Sequence, residues 1–343
     1  MTSLNRRQFN RALLAVPAAA LVGTGLDALA PAAASAAPAD WNAHLLAGQA
    51  NGHLMHQTRA GDGTWKPSWE EVGIPAVSVY RVSCVGMSND LHVVAALNSG
   101  APSHGVRNRS DGSWTAFSPI PSQSGPTPGA PHVAVTSLGS SAGSKLHVFG
   151  ASERGNALYY TGRNADGSWH PRWVNLRTFG SIINHVATTR VGTTIDTAVV
   201  TDGKLFHAIR ASDGTWSNWG NIESVAGEIA NDVLHVALAG IGSQLHVVAL
   251  SGSSDVYHAI RRADGSWQRF KKVTAFSNYS PFFVSAANVG AELQVAIIDF
   301  TANASQIIRH NIRRSDGSWT PVKTVRATGL TNDPGVLALT GTL

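Results

Sequence analysis

Six copies of Asp-Gly-(Ser/Thr)-Trp punctuate the chain, and the side chains around them are the ones whose types and spacing could do chemistry. Counting from each motif Asp, position minus three is Arg59, Arg163, Arg210, Arg261 and Arg313, and position minus six is His56, Tyr160, His207, His258 and His310. In the second unit Asn108 stands at minus three between Arg107 and Arg109, and His104 is displaced by one, as though a residue had been inserted. A second aromatic follows each of the first five motifs: Trp219 and Phe270 at plus six, Phe117 in the second unit, Trp69 and Trp173 one residue later. Guanidinium forks, imidazoles and aromatic faces supply hydrogen bonds and stacking, which is the chemistry of binding.

Hydrolysis would need something else. General acid–base cleavage of a glycoside requires two carboxylates facing one bond. The non-repeated acids (Glu70, Glu71, Glu153, Asp202, Glu223, Glu228, Asp232, Glu292, Asp299, Asp333) are scattered, with nothing to pair them. A sialidase-like reading fails further, because its box spaces Ser, Asp, Gly and Thr-Trp differently and no Tyr lies suggestively near a Glu. Cys84, the one cysteine, sits in the apolar run Val82-Ser83-Cys84-Val85 and reads as a small buried hydrophobe. Two further His series occur, His44, His92, His147 and His246 in one, with Asp196 and Gln294 replacing it in two units, and His132, His185 and His235 in the other. The last trio comes from three separate units with no H-x-x-x-H spacing, so neither metal nor cofactor is expected.

The elements that must position these residues follow from the repeat. Successive motif Asp residues are 49, 55, 47, 51 and 52 apart, a period that suits one four-stranded propeller blade. Leu234–Leu238, Gln244–Ala249, Val256–Arg261 and Ser266–Val273 read as the four strands of one such unit. The Asp-Gly pair reads as a two-residue type I′ hairpin. That register puts the Trp on one blade face with the minus-six residue, and the Arg on the opposite face, stacked on the second aromatic. Pro67, Pro171 and Pro321 fall in the fourth strand, which marks it as the outer edge and the first strand as the channel lining.

The chain ends complete the count. Residues 41–72 supply only three strands, and residues 335–343 supply the missing inner one, so blade 1 is stitched from both termini. The fold class expected is all-β, a single six-bladed β-propeller of four-stranded antiparallel blades over residues 37–343. A feature needed by every unit is first of all a packing feature, so Asp62, Trp65, Asp111, Trp114, Asp166, Trp169, Asp213, Trp216, Asp264, Trp267, Asp316 and Trp319 are assigned to the scaffold.

Residues 1–36 read as a Tat-type signal peptide: the pair Arg6-Arg7, Phe9, an apolar run from Ala12 to Val22, and Ala34-Ser35-Ala36 for cleavage. The expected location is extracellular, with no membrane association after cleavage. Without the leader, which carries three Arg and one Asp, the formal charge falls from +5 to +3, and no basic stripe remains for nucleic acid.

The run Leu-His-Val-Val, Tyr-His-Ala-Ile-Arg, Asp-Gly-Ser-Trp and a second aromatic, as in 245–270, resembles the repeats of PLL-like β-propeller lectins, over essentially residues 41–343. That resemblance implies a fucose-binding-type lectin with weak sugar sites between blades, made multivalent by the ring. It implies as sugar ligands the minus-six residues His56, Tyr160, His207, His258 and His310, the minus-three arginines, and the second aromatics Trp69, Trp173, Trp219 and Phe270. PLL-like lectins commonly have seven blades, and the six-bladed fungal fucose lectins repeat a Glu that does not recur here. The other readings are a propeller glycoside hydrolase and a protein-binding scaffold.

Overall fold

The computed structural model describes residues 42–74, 78–97, 101–122, 132–139, 145–151, 155–303, 305–330 and 332–342. The leader, and most of the proline-rich link from Pro119 to Pro131, lie outside these residues. Six four-stranded antiparallel sheets are arranged as the blades of a six-bladed β-propeller. Five blades run in chain order from inner to outer strand. The remaining one, blade 1, takes its inner strand from Pro334–Thr342 and the other three from Asn42–Gln49, Leu54–Arg59 and Glu70–Val72. The ring closes through the register Ala43↔Gly341 to Gly48↔Val336.

The second strand of each blade explains the apolar runs. It lies mid-blade with both faces against neighbouring blades, so it is buried without alternation: Leu91–Leu97 in blade 2, Ile195–Thr201 in blade 4, Leu245–Ser251 in blade 5. Inner strands have a free edge toward the channel, and side chains of the preceding blade satisfy part of it. Val135 N donates to Ser83 Oγ, Gly240 N to Thr189 Oγ1 and Leu339 N to Ser285 Oγ. The blades pinch together where the inner strands end. A Cβ at Gly240 would stand 1.8 Å from the Arg190 carbonyl oxygen, so only glycine fits there.

Outer strands are short and broken. A single bridge, such as Arg59↔Trp65, is followed by a gap and then by a short paired segment, Glu70–Val72 in blade 1. The stretch from Trp65 to Val72, which the sequence offers as the fourth strand of blade 1, is therefore not one unbroken strand, and Pro67 within it has no N–H for a ladder. Blade 5 keeps a continuous outer strand, Trp267–Lys272, whereas blades 2 and 4 break theirs without a proline at that point. Helix is confined to Glu223–Ala226 and a 3₁₀ turn at Thr274–Phe276 among the described residues. Cys84 is buried, and burial pushes its thiol up.

Candidate functional site: the clefts between blades

The hairpin carrying the repeated motif is tighter in chemistry and longer in sequence than a type I′ turn. Gly63 N donates to the Ala60 carbonyl and Ala60 N to the Thr64 carbonyl, leaving Gly61, Asp62 and Gly63 as a three-residue loop. Only the glycine takes the left-handed conformation, with φ +93°. This is a type I turn with a glycine bulge. The Asp serves through its carboxylate: Asp62, Asp111, Asp166, Asp213, Asp264 and Asp316 each accept the N–H of the Ser or Thr two residues on, at 2.8–2.9 Å. The type I′ Asp-Gly turn exists elsewhere, at Asp202-Gly203, where both φ values are positive.

One loop residue more changes which face the arginine occupies. Arg59 pairs directly with Trp65, Arg163 with Trp169, Arg210 with Trp216, Arg261 with Trp267 and Arg313 with Trp319, so Arg and Trp share a face. The expected placement on opposite faces is corrected by this register. Each guanidinium folds back across its own hairpin; Arg59 Nη2 lies 2.7 Å from where a Cβ of Gly63 would stand. In blade 2 the pairing is Arg107↔Trp114 and the loop is one residue longer, so Arg107, four residues before Asp111, is the sixth arginine. The signal for it was the adjacent displacement of His104.

The Arg–Trp face of each blade meets a buried polar pair on the preceding blade. That pair spans the second and third strands: His44 Nδ1 to His56 Nε2 at 2.9 Å, His92 to His104 at 3.1 Å, His147 to Tyr160 Oη at 2.9 Å, Asp196 to His207 at 2.7 Å, His246 to His258 at 3.1 Å and Gln294 to His310 at 2.9 Å. The second-strand His series and the minus-six series thus become one device, each member satisfying a buried partner. The following blade's Trp packs perpendicular to the third-strand ring: His56 with Trp114, His104 with Trp169, His207 with Trp267, His258 with Trp319 and, across the closure, His310 with Trp65, at 5.4–6.0 Å. In the third blade Phe149 takes that role against Trp216, and Arg210 lies over the Tyr160 ring at 5.6 Å.

Burial holds the imidazoles neutral in every pair but Asp196 with His207, which sets a carboxylate against an imidazole. It lowers His92, His147 and His246 to about 4 and His104 and His310 to about 3, with the neighbouring blade's guanidinium adding to the shift. In the other five pairs one proton serves each contact, so no charge is stranded there.

The cleft between blades 1 and 2 departs from the repeat. It is a cavity of about 370 Å³ lined by His44, Trp65, Lys66, Arg107 and Arg109 among others. Glu70, opposite His56 in register, brings a carboxylate there: Lys66 Nζ donates to it at 2.8 Å and Arg107 Nη2 stands 3.6 Å away. His56 and Lys66 hold that carboxyl well below the usual carboxylate range. The corresponding outer-strand partners of the other blades are Ser118, Val174, Gly220, Lys271 and Lys323, so none repeats the carboxylate.

The residues singled out in the sequence therefore separate. Arg59, Arg163, Arg210, Arg261 and Arg313 are half-buried at cleft walls with the motif Trp residues. His56, His207, His258, His310 and Tyr160 lie beneath them, buried. Trp69 and Trp173 are core residues at 5% and 3% exposure, while Trp219 and Phe270 are half-buried. Trp219 stacks on Trp216 and meets Phe179 edge-on. Among the described residues no repeated Arg lies over the second aromatic of its unit, contrary to the expected cation–π pair; the register turns it away. Among the described residues no group of three or more His, Cys, Asp or Glu is disposed to hold a metal ion.

No family model and no curated protein matches the chain. Solved structures do. The Aleuria aurantia lectin in complex with alpha-methyl-L-fucoside is 17% identical, covering 87% of this chain and 95% of that one at a TM-score of 0.60. The BP39L lectin from Burkholderia pseudomallei is 18% identical, covering 84% and 82% at 0.56. AofleA from Arthrobotrys oligospora is 11% identical, covering 88% of both at 0.53. At these identities the likeness is one of fold: this chain shares the architecture of six-bladed lectins described as fucose-specific.

Proposed function

We propose that the protein is a secreted carbohydrate-binding lectin whose interblade clefts each take a sugar weakly and act together through the ring. The observation that carries this reading is the repeated cleft, in which an Arg and a half-exposed Trp of one blade overhang a buried hydrogen-bonded pair of the blade before. A guanidinium fork donates to adjacent sugar hydroxyls, and an indole covers the apolar C–H face of a pyranose. The 1–2 cleft adds the acceptor that the others lack, since Glu70 beside Arg107 is ready to receive a sugar hydroxyl. Fucose-like sugars are the first class to test, in view of the ligands named for the fold's neighbours. The described acids support binding over turnover: Glu70 is engaged with Lys66, Asp299 with Arg309, and Glu223 accepts weakly from the Leu205 and Ile229 amides.

The test begins with chain recovered from culture medium, whose N-terminus near Ala37 checks export. It is then applied to an array of fucosylated, mannosylated, galactosylated and aminosugar glycans. Binding to multivalent display should exceed that to the monosaccharide by about 10²-fold or more. Arg107→Ala should abolish monosaccharide binding in the 1–2 cleft and leave the other clefts occupied. Silence across the array under multivalent display sinks the lectin reading, and turnover of chromogenic glycosides would replace it with the hydrolase.

A further inference from the structure

The third His series has no part in the clefts. Arg81, His132, His185, His235 and Phe283 occupy equivalent positions on the inner strands of blades 2 to 6, opposite Ala96, Ala151, Val200, Leu250 and Ile298 of the adjoining second strands. Arg81, His185 and Phe283 line the central channel, a cavity of about 470 Å³, and His132 and His235 stand beside them. The rings touch in sequence: His132 to His185 at 6.4 Å, His185 to His235 at 4.8 Å and His235 to Phe283 at 4.7 Å. Arg81 closes the arc from across the channel, with Cζ 5.6 Å above the Phe283 ring.

These polar groups are built in and left unserved. The Nδ1 atoms of His132, His185 and His235 and the Nε of Arg81 are buried with no hydrogen-bond partner among the described residues, and Arg81 spends Nη1 on the Tyr80 carbonyl. Buried polar atoms ordinarily have partners, so four such atoms gathered beside one cavity, two of them on the lining residues Arg81 and His185, call for one. The charged neighbours acting on the three imidazoles are one another and Arg81; none is a carboxylate. A set of basic groups gathered at a cavity without a counter-charge is the electrostatic form of an anion site.

We infer that the channel at this arc binds a small oxyanion, a carboxylate, sulfate or phosphate group, either free or carried on a sugar. Arg81 supplies the fixed charge and the imidazole N–H groups the directed hydrogen bonds. The Phe283 ring gives an apolar wall against which a sugar bearing the anion can rest.

Calorimetric titration of the full chain with sodium sulfate, inorganic phosphate, glucuronate and, as the uncharged control, glucose tests the assignment. Saturable binding of the anions, with glucose silent, is expected, together with proton uptake read as a heat that depends on the buffer. Arg81→Gln should weaken it about tenfold or more, whereas Arg314→Gln, which removes the same charge from the exposed hairpin face, should not. Near-UV circular dichroism reports whether each variant keeps its tryptophan packing. If Arg81→Gln loses that signal, His185→Gln carries the comparison. Glucuronate binding more tightly than sulfate identifies a sugar-borne anion, and the reverse order a free one. No saturable heat with any of the three anions, or equal weakening in Arg314→Gln and the channel variant, overturns the site.

Discussion

At the scale of single residues, the repeated motif works as a turn that seats an arginine. The Asp accepts an N–H, the Gly takes a backbone conformation closed to other residues, and the guanidinium lies in the space a Cβ would need. At Gly214 φ is +92° and a Cβ would stand 3.0 Å from Arg210 Nη2. Gly214→Ala should therefore cost about 1–2 kcal/mol, lowering Tm by about 2–4 °C in a scanning calorimeter. It should also weaken sugar binding in the one cleft that Arg210 serves. An unchanged Tm would mean that the guanidinium moves aside and that the loop accommodates a side chain.

At the scale of elements, blade 1 depends on a strand nearly 300 residues away in sequence. Pro334–Thr342 contributes the buried Val336, Leu337, Ala338 and Leu339 and covers Leu45 and Leu46. The link before it reinforces the seal: Trp69 N donates to the Thr328 carbonyl, Thr328 N to that of Pro67 and Gln49 Nε2 to that of Asn332. Each large aliphatic side chain buried is worth about 1.5–3 kcal/mol, and a domain's net stability is about 5–15 kcal/mol. A chain truncated before Pro334 should thus lose cooperative unfolding and run as aggregate in size-exclusion chromatography. A truncated monomer with native near-UV dichroism would show that blade 1 holds with three strands.

At the scale of the whole molecule, the histidines make the propeller acid-sensitive. His92, His104, His147, His246 and His310 are held at about 3–4 by burial, against about 6.5 in an unfolded chain. Below pH 6.5 the unfolded state takes up protons that the folded state refuses, so stability falls as pH drops from there toward 4. Each such group contributes about 1.4 kcal/mol per pH unit, and a handful suffices to exhaust a typical stability within about two units. Urea unfolding should be insensitive to pH above about 7 and lose midpoint steadily below 6.5. A flat profile down to pH 4 would mean that the pairs accept protons in place.

Blade number, strand order, outer edges and closure by the two ends were legible in the residues, since each is a local pattern of apolar runs, turns and prolines repeated about every fifty positions. The cleft was legible only in its members. Whether Arg59 shares a face with Trp65 depends on one loop residue, because a strand's faces alternate at every step. That His56 meets Trp114, that Glu70 reaches Arg107, and that three histidines and Arg81 gather beside the channel depends on how neighbouring blades abut. Those contacts join residues tens to more than a hundred positions apart, and only the closed ring brings them together.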